Sequence, residues 1–236
     1  MSTVNFQLLL LLAVGAIAAV LLRKLTPLAG IAGACVGWLV YLGAGYAGIA
    51  VMASFFILGT AASSWQYNKK ARLLIAEQNK GRRTTGQVLA NAGIAGLMGL
   101  LTVFLPQYTT LSGLMMAASF SSATADTLSS ELGNVYGKRF YNILTLKKDT
   151  RGLNGVISLE GTLAGFAGSA LIAVVYVLFT KQVSHFWIIV IAGTIGNLTD
   201  SLLGASWERR HLLNNNAVNF LNTLVAALFC LLISFL

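Results

Sequence analysis

Long apolar stretches alternate with short polar stretches along the whole chain. Eight of the apolar stretches are close to the length of about twenty residues that an α-helix needs to cross a bilayer. They cover residues 4–22, 25–46, 47–64, 86–105, 112 to about 130, 153–180, 186–205 and 217–236. An uncharged, glycine-rich turn joins the second stretch to the third. The pattern therefore predicts an all-α, polytopic membrane bundle of about eight transmembrane helices, forming a single domain over residues 1–236.

Composition indicates the same class. Hydrophobic residues make up 56% of the 236 residues, charged residues only 10%, and the mean hydropathy is +0.76. Soluble domains carry about 25% charged residues, so a soluble globular fold is excluded. The 24 glycines suit helices that pack closely in lipid. Cys35 and Cys230 lie in separate apolar stretches, which indicates two small buried residues rather than a disulfide.

The basic residues indicate an orientation in the membrane. Fifteen of the 16 lysines and arginines fall in four polar segments on one side of the predicted bundle, and Lys181 is the exception. Because positive charge marks the cytoplasmic side, we expect both termini outside, in the cell inner membrane or its equivalent. No basic residue precedes the first stretch, so we expect a retained helix rather than a signal peptide. We interpret the basic loops as topology signals and contacts for anionic lipid headgroups, and expect no nucleic-acid partner.

Three of the seven acidic residues lie within or at the inner ends of apolar stretches: Asp126, Glu160 and Asp200. A carboxylate at the centre of a membrane helix costs about 2.5–3.5 kcal/mol on insertion scales, so each of these needs a partner, a cation or water. We expect the remaining four to lie near the interface, three of them beside basic residues. They are Glu77, Glu131, Asp149 and Glu208.

Polar side chains accompany the three acids at helical spacing. They are Ser122 and Ser130 around Asp126, Asn197 and Ser201 around Asp200, and Asn154, Ser158 and Thr162 around Glu160. Amides and a hydroxyl lie at comparable depth on two other stretches: Gln87, Asn91, Asn215, Asn219 and Thr223. In lipid such residues must face the interior of a bundle. Residues 84–236 therefore predict one polar cavity that faces the cytoplasm, and residues 1–65 predict helices for packing or dimerisation.

A short internal similarity accompanies the acids. The sequences ADTL (125–128) and TDSL (199–202) occupy equivalent positions on two predicted helices that run in the same direction. This predicts a parallel internal repeat.

The polar set is the one that a divalent metal and a polyphosphate require. Magnesium prefers oxygen ligands and takes only one or two carboxylates together with phosphate oxygens. Phosphoryl transfer then needs mainly positioning and neutralisation of charge. His185 and His211 have no spacing typical of a zinc site, and the chain has neither a Walker motif nor a GxSxG motif. The sequence therefore does not support the mechanism of a soluble kinase or hydrolase.

The motifs carry a resemblance to known membrane enzymes. DTLSSELGNVYGKR (126–139) resembles the nucleotide-binding signature of the dolichol kinase and phytol kinase group, and LEGTLAG (159–165) resembles the segment that follows it there. GNLTDS (196–201) resembles the Asp-bearing helix of that group and of membrane cytidylyltransferases. With GRRTTGQ (81–87) and NNNAVN (214–219), the chain is identified as a member of the domain-of-unknown-function ninety-two membrane family, which includes the chloroplast phytyl-phosphate kinase of tocopherol synthesis.

The resemblance implies CTP-dependent phosphorylation of a prenyl monophosphate, such as phytyl or geranylgeranyl phosphate, with Mg²⁺. Asp126 and Asp200 would hold Mg²⁺ on the nucleotide, and Glu160 would position the metal or the acceptor phosphate. The candidates for substrate binding are Arg82, Arg83, Asn91, Ser122, Ser130, Lys138, Arg139, Asn154, Asn197, Ser201 and Asn219. The acceptor already carries a phosphate, so no general base is required. Its tail would enter sideways from the lipid, between helices.

Two alternatives fit the same residues. A transporter or flippase also needs a polar cavity with intramembrane carboxylates, although its site should lie at the midplane and not near one face. A cytidylyltransferase of the same fold would join CMP to a lipid phosphate and release pyrophosphate. The sequence does not define the isoprenoid chain length or the oligomeric state, for which a homodimer is one option.

Overall fold

The fold is almost entirely helical. The structure, a computed structural model, describes residues 3–75 and 81–234. Its helices are α1 (Thr3–Leu21), α2 (Pro27–Ser64), α3 (Tyr67–Arg72), α4 (Thr85–Phe104), α5 (Thr109–Tyr136), α6 (Leu159–Thr180), α7 (His185–Leu203) and α8 (Asn215–Ile233). A 3₁₀ turn at Pro106–Tyr108 joins α4 to α5, and a π-helical turn at Gly204–Glu208 continues α7. Two short strands, β1 (Tyr141–Asn142) and β2 (Val156–Ile157), pair antiparallel in the α5–α6 loop.

Five of the helices in the described ranges are long and apolar enough to cross a membrane. They are α2, α4, α6, α7 together with its π-helical turn, and α8. Helix α1 adds a shorter apolar segment at Phe6–Leu21. Helix α5 is less apolar because hydroxyl and acidic residues occupy much of its second half. The protein is thus an all-α membrane protein, while the number of eight crossings and the internal repeat stay predictions.

Helix α2 reverses direction at Gly45. As a straight helix, its 38 residues would extend over about 57 Å. Instead, Lys24 Nζ, just before the helix begins, donates to Oγ of Ser64, its last residue, at 2.9 Å. Gly45 has φ 57° and ψ −145°, a backbone conformation that favours glycine. The α2 hairpin therefore turns within the glycine-rich region where the sequence predicts a turn.

Helix α5 lies at the centre of the bundle and packs against α2, α4, α6, α7 and α8. Every residue of 112–125 is buried, so this helix is enclosed on all faces. Glycines on its neighbours make room for its hydroxyl residues: a Cβ at Gly161 of α6 would lie 2.7 Å from the carbonyl oxygen of Ser129. At Gly196 of α7, a Cβ would lie 2.0 Å from Oγ of Ser122. The motifs at 126–139 and 159–165 are therefore in direct backbone contact.

The polar segments meet at one end of the bundle. Hydrogen bonds connect the segment before α2 to the segment before α4, the end of α2 to the end of α5, and the α5–α6 loop to the segment after α7. These segments carry the basic residues that predict the cytoplasmic side. Lys80, one of these basic residues, and Glu77, which we expect beside basic residues near the interface, lie outside the described residues.

An ion pair joins the α5–α6 loop to the segment after α7. Asp149 accepts hydrogen bonds from the backbone N–H of Thr150 at 2.7 Å and from Nη2 of Arg209 at 2.8 Å. These two donors lower the pKa of Asp149 from its ordinary value. Asp149 therefore pairs with a basic residue near the interface, as predicted.

The start of α6 differs from the prediction. The helix begins at Leu159 and not at residue 153, because Ser158 caps it: the Ser158 hydroxyl accepts from the backbone N–H of Gly161 at 3.1 Å. Asn154 consequently lies in the loop and not on a helical face beside Glu160. Its proximity to the other polar residues comes from the loop and not from helical spacing.

The end of α5 also differs. The helix continues to Tyr136, past the predicted end near residue 130, so that Glu131 lies inside it. Glu131 is only 8% exposed and forms an ion pair with Lys70 of α3, a short helix that the apolar pattern does not predict. Glu131 is therefore a buried, paired residue, and its position near the membrane interface stays a prediction.

Candidate active site

A polar cavity of about 810 Å³ lies at the end of the bundle where the polar segments meet. Its walls come from α4, α5, α7 and α8, from the first turn of α6 and from the α5–α6 loop. Nine of the residues proposed from sequence line it: Arg83, Asn91, Asp126, Ser130, Asn154, Asn197, Asp200, Ser201 and Asn219. The fold thus gathers into one space residues that are spread over more than half of the chain.

Asp126 of α5 and Asp200 of α7 meet in this cavity. Their carboxyl groups lie within hydrogen-bonding reach of each other. Asn222 of α8 donates to Oδ2 of Asp200 at 2.7 Å, and the hydroxyl of Ser122 donates to Oδ1 of Asn222 at 3.0 Å. Two carboxylates in contact repel each other unless a proton or a cation lies between them. Either a proton or a cation between the two groups would remove this repulsion.

The donors around the pair suit magnesium. They are carboxylate, amide and hydroxyl oxygens, including Asn197, whose Oδ1 accepts from the hydroxyl of Ser129 at 3.0 Å. Within residues 3–75 and 81–234, no group of three or more His, Cys, Asp or Glu could hold a metal ion on its own. The residues fit a Mg²⁺ ion that arrives with a polyphosphate, because the phosphate supplies the other oxygen ligands.

Arg83 supplies positive charge to the cavity wall. Among the lysines and arginines that the structure describes, it alone lines the cavity. It is 8% exposed, and its guanidinium lies 4.9 Å from the centre of the Phe55 ring in the second half of α2. Gly59 makes room for it, since a Cβ there would lie 2.3 Å from Arg83 Nη2. The α2 hairpin therefore shapes the site by holding Arg83 in place.

Three helices begin at the cavity. The side chains of Thr84, Ser158 and Asn214 cap α4, α6 and α8, and each accepts a hydrogen bond from a backbone N–H of its helix. A helix N-terminus carries partial positive charge and favours phosphate groups. One wall thus favours anions, while Asp126 and Asp200 favour a cation.

Five of the residues proposed from sequence do not line the cavity. Ser122 is buried behind Asp200 and acts on it through Asn222. Arg82 donates from Nε to the carbonyl oxygen of Leu25 at 3.0 Å, and so fastens its loop to the start of α2. Lys138 and Arg139 are exposed on the loop after α5. Glu160, in the first turn of α6, accepts from the backbone N–H of Lys138 at 3.4 Å.

The sequence reasoning missed a buried ion pair. Lys70 is fully buried, and its Nζ donates to the carbonyl oxygens of Ala62 at 3.0 Å and Ser63 at 2.8 Å as well as pairing with Glu131. Glu131 lines the cavity. No local signal distinguishes Lys70 from its basic neighbours, which the charge pattern assigns to topology.

Glu208 and Asn222 were also missed. Glu208 lies in the π-helical turn, lines the cavity and is close enough to Asp126 and Asp200 to interact electrostatically with both. It is therefore part of the site and not only a neighbour of basic residues. Such turns are frequent at functional sites but cannot be read from a sequence. Asn222 follows Asn219 by three residues, a helical spacing that could have revealed it.

Asn219 offers an oxygen to a ligand. It lines the cavity and is 7% exposed, and its buried Oδ1 has no hydrogen-bond partner among the described residues. An unsatisfied buried acceptor costs about 1–3 kcal/mol. A bound molecule or water that donates to this oxygen would remove that cost.

Comparison with known proteins places the chain in a family. Residues 10–227 match the family described as integral membrane protein DUF92. The chain belongs to this family. That confirms the membership predicted from the motifs.

Its relatives come from plants, cyanobacteria and archaea. The chain is 34% identical to "Protein VTE6, chloroplastic" of Arabidopsis thaliana, over 86% of this chain and 63% of that protein, so it spans less than two thirds of that relative. It is 33% identical to the uncharacterized membrane protein sll0875 of Synechocystis, over 90% of this chain and 84% of the relative. It is 32% identical to the uncharacterized membrane protein MJ0933 of Methanocaldococcus jannaschii, over 84% and 80% respectively. No solved structure matches the chain.

Proposed function

We propose that the protein is a membrane-embedded kinase. It transfers a phosphoryl group from a nucleoside triphosphate, CTP by resemblance, to a prenyl monophosphate such as phytyl or geranylgeranyl phosphate. The observation that carries the proposal is the contact between Asp126 and Asp200 in a polar cavity that Arg83 also lines. Membership of the DUF92 family, which includes a phytyl-phosphate kinase, and the resemblance of the motifs to the dolichol kinase and phytol kinase group support the choice of acceptor.

Asp126 and Asp200 would bind Mg²⁺ together with the nucleotide phosphates. When bound, the ion neutralises charge on the transferred phosphoryl group. Asn222 holds Asp200 in one orientation, and Ser122 holds Asn222, so the binding geometry is set before the nucleotide arrives. Asn197 is held in the same way by Ser129. These contacts favour rapid transfer because phosphoryl transfer depends mainly on positioning.

The main obstacle to the reaction is the repulsion between two phosphate-bearing substrates. Arg83 and the N-termini of α4, α6 and α8 reduce this repulsion on the cavity wall. The acceptor oxygen belongs to a phosphate and is already a nucleophile, so no side chain has to remove a proton. Lys138, Arg139 and Arg82, which lie outside the cavity, would attract anionic substrates by long-range charge. Glu160 would fasten the start of α6 to the loop at Lys138 and would not bind the metal.

We propose that the cavity faces the cytoplasm. The four polar segments that carry the described basic residues meet at its end of the bundle, and positive charge favours the cytoplasmic side. With about eight crossings, both termini would lie on the opposite side.

The test uses purified protein in lipid nanodiscs with phytyl phosphate and CTP labelled at either the γ- or the α-phosphate. We expect transfer of the γ label only. Asp126→Asn and Asp200→Asn should each lower the rate by about a hundredfold or more, since each removes a negatively charged ligand for the Mg²⁺ ion that would neutralise charge in the transition state. Asp149→Asn, outside the cavity, is the matched control and should retain activity.

Three outcomes would contradict the kinase proposal. Full activity in either cavity variant would mean that the Asp126–Asp200 pair takes no part in the reaction. Transfer of the α label would indicate a cytidylyltransferase. Uptake of a prenyl phosphate into proteoliposomes without nucleotide, together with no label transfer, would indicate a carrier.

A further inference from the structure

A second cavity adjoins the polar one. It has a volume of about 480 Å³ and lies between the first half of α2, α4 and α8. Except for Asn216, all of its lining residues are apolar or glycine. Asn216, in the first turn of α8, lines both cavities. The apolar space, named here the α4–α8 groove, therefore begins where the polar cavity ends.

Glycines give the groove its depth. It follows α4 from Gly86 to Leu97, a distance of about 16 Å along the helix. A Cβ at Gly93 would lie 3.7 Å from the Phe220 ring, and a Cβ at Gly96 would lie 3.6 Å from Cγ1 of Val36. Both distances are ordinary contacts, so alanine would fit at either position. A longer side chain would occupy the groove itself.

We propose that the α4–α8 groove binds the isoprenoid tail of the acceptor while the phosphate lies in the polar cavity, and that Gly93 and Gly96 determine how long a tail is accepted. The inference rests on the proposed function and adds the position of the tail.

The match between the two spaces and an amphiphile argues for this occupant. A prenyl monophosphate has an anionic head and a purely apolar tail, and the two cavities have the same division, with Asn216 at the boundary. Asn219 lies three residues further along α8, and its Oδ1, which has no partner among the described residues, can accept from a protonated phosphate or its bound water. Leu89 and Leu97 are 47% and 51% exposed, so the groove has an edge toward the lipid. A tail can therefore enter without leaving the bilayer.

The first experiment measures binding without nucleotide, so that the result does not depend on catalysis. Dimethylallyl, geranyl, farnesyl and phytyl monophosphates are titrated into the protein in nanodiscs, and thermal stabilisation reports occupancy. The variants are Gly93→Leu, near the polar cavity, and Gly96→Leu, further along the groove. Gly93→Ala controls for loss of glycine. Gly15→Leu, at an exposed position of α1 where a Cβ meets nothing within 4 Å, controls for added bulk.

We expect the affinity of the unmodified protein to rise with tail length. Gly96→Leu should lower the affinity for phytyl phosphate at least about tenfold, which corresponds roughly to the loss of two buried methylene groups. The affinity for dimethylallyl phosphate should change by no more than about twofold. Gly93→Leu lies nearer the polar cavity, so it should weaken the binding of prenyl phosphates with shorter tails than those affected by Gly96→Leu. Both controls should behave like the unmodified protein.

A second experiment needs no substitution in the groove. A prenyl phosphate with a photoreactive diazirine at the end of its tail is cross-linked to the unmodified protein, and the labelled peptide is identified by mass spectrometry. We expect label on residues 89–97 or 217–220. Label on α1 or α6 would overturn the assignment, as would a phospholipid that stays in the groove and is not displaced by prenyl phosphates.

The results separate this inference from the kinase proposal. If all variants keep the unmodified dependence on tail length, the groove assignment is wrong and the kinase proposal stands. If the variants shorten the accepted tail but no phosphoryl transfer occurs, the groove assignment stands and the kinase proposal is wrong. If the unmodified protein binds no prenyl monophosphate, both are wrong.

Discussion

The buried ion pair between Lys70 and Glu131 gives the sharpest prediction about stability. The Lys70 side chain is fully buried, and that of Glu131 is only 10% exposed. Lys70 also donates to two carbonyl oxygens at the end of α2. Lys70→Met keeps a long apolar side chain but leaves Glu131 without this cation and the carbonyl groups without this donor.

The expected loss is large. Removing one partner of a buried ion pair costs about 3–5 kcal/mol. A loss of about 3 kcal/mol corresponds to a fall in Tm of roughly 6–12 °C for a chain of this length. Thermal unfolding in detergent micelles, followed by tryptophan fluorescence, measures this change. Adding Glu131→Gln to Lys70→Met should recover part of the loss, because a neutral amide is easier to bury than a carboxylate that has lost its lysine.

Lys69→Met is the matched control. Lys69 is the neighbouring residue on α3, is exposed, and donates only one described hydrogen bond, to the carbonyl oxygen of Val135. Its loss should change stability by no more than about 0.5 kcal/mol. If Lys70→Met unfolds at the same temperature as Lys69→Met, Lys70 is not buried against α2 and α5, and the reasoning is refuted.

Three further predictions concern binding, packing and pH. Arg83→Gln should raise the KM for the nucleotide or the acceptor by about tenfold or more, because hydrogen bonds to charged groups contribute about 1.5–3 kcal/mol. Arg82→Gln should change the same KM by no more than about twofold. If steady-state kinetics gives the two variants equal KM values, the placement of the site is contradicted. Gly161→Val should destabilise the protein by about 1–3 kcal/mol, because α5 leaves no space for the valine side chain, whereas Gly15→Val should not destabilise it. Thermal unfolding measures both variants, and equal Tm values would contradict the close packing of α5 against α6. The lowered pKa of Asp149 means that its contribution to stability is complete above the usual value of about 3.9 and disappears as the pH falls through the lowered value. Asp149→Asn should therefore reduce the dependence of Tm on pH in that acidic range and leave the dependence near neutrality unchanged; an unchanged acidic profile would contradict this.

The sequence by itself determined the class of protein and most of the candidate site. Hydropathy and length are local properties, so apolar stretches of about twenty residues predict helices near their true positions, and α4 begins and ends within one residue of its prediction. An acid or amide in an apolar helix must face the interior, because lipid offers it no partner. This constraint alone predicts that Asp126 and Asp200 face the interior of the bundle, although it cannot predict that their carboxyl groups touch.

Only the tertiary structure decided which polar residues surround that pair. Lys70 has the same charge as its neighbours, and its burial depends on where α3 folds against α2 and α5. Glu208 enters the cavity through a π-helical turn, whereas Glu160 stays outside although its neighbours Gly161 and Thr162 line the cavity. The α4–α8 groove likewise depends on the spacing of three helices. These features arise from contacts between segments far apart in sequence, so no local pattern of residues encodes them.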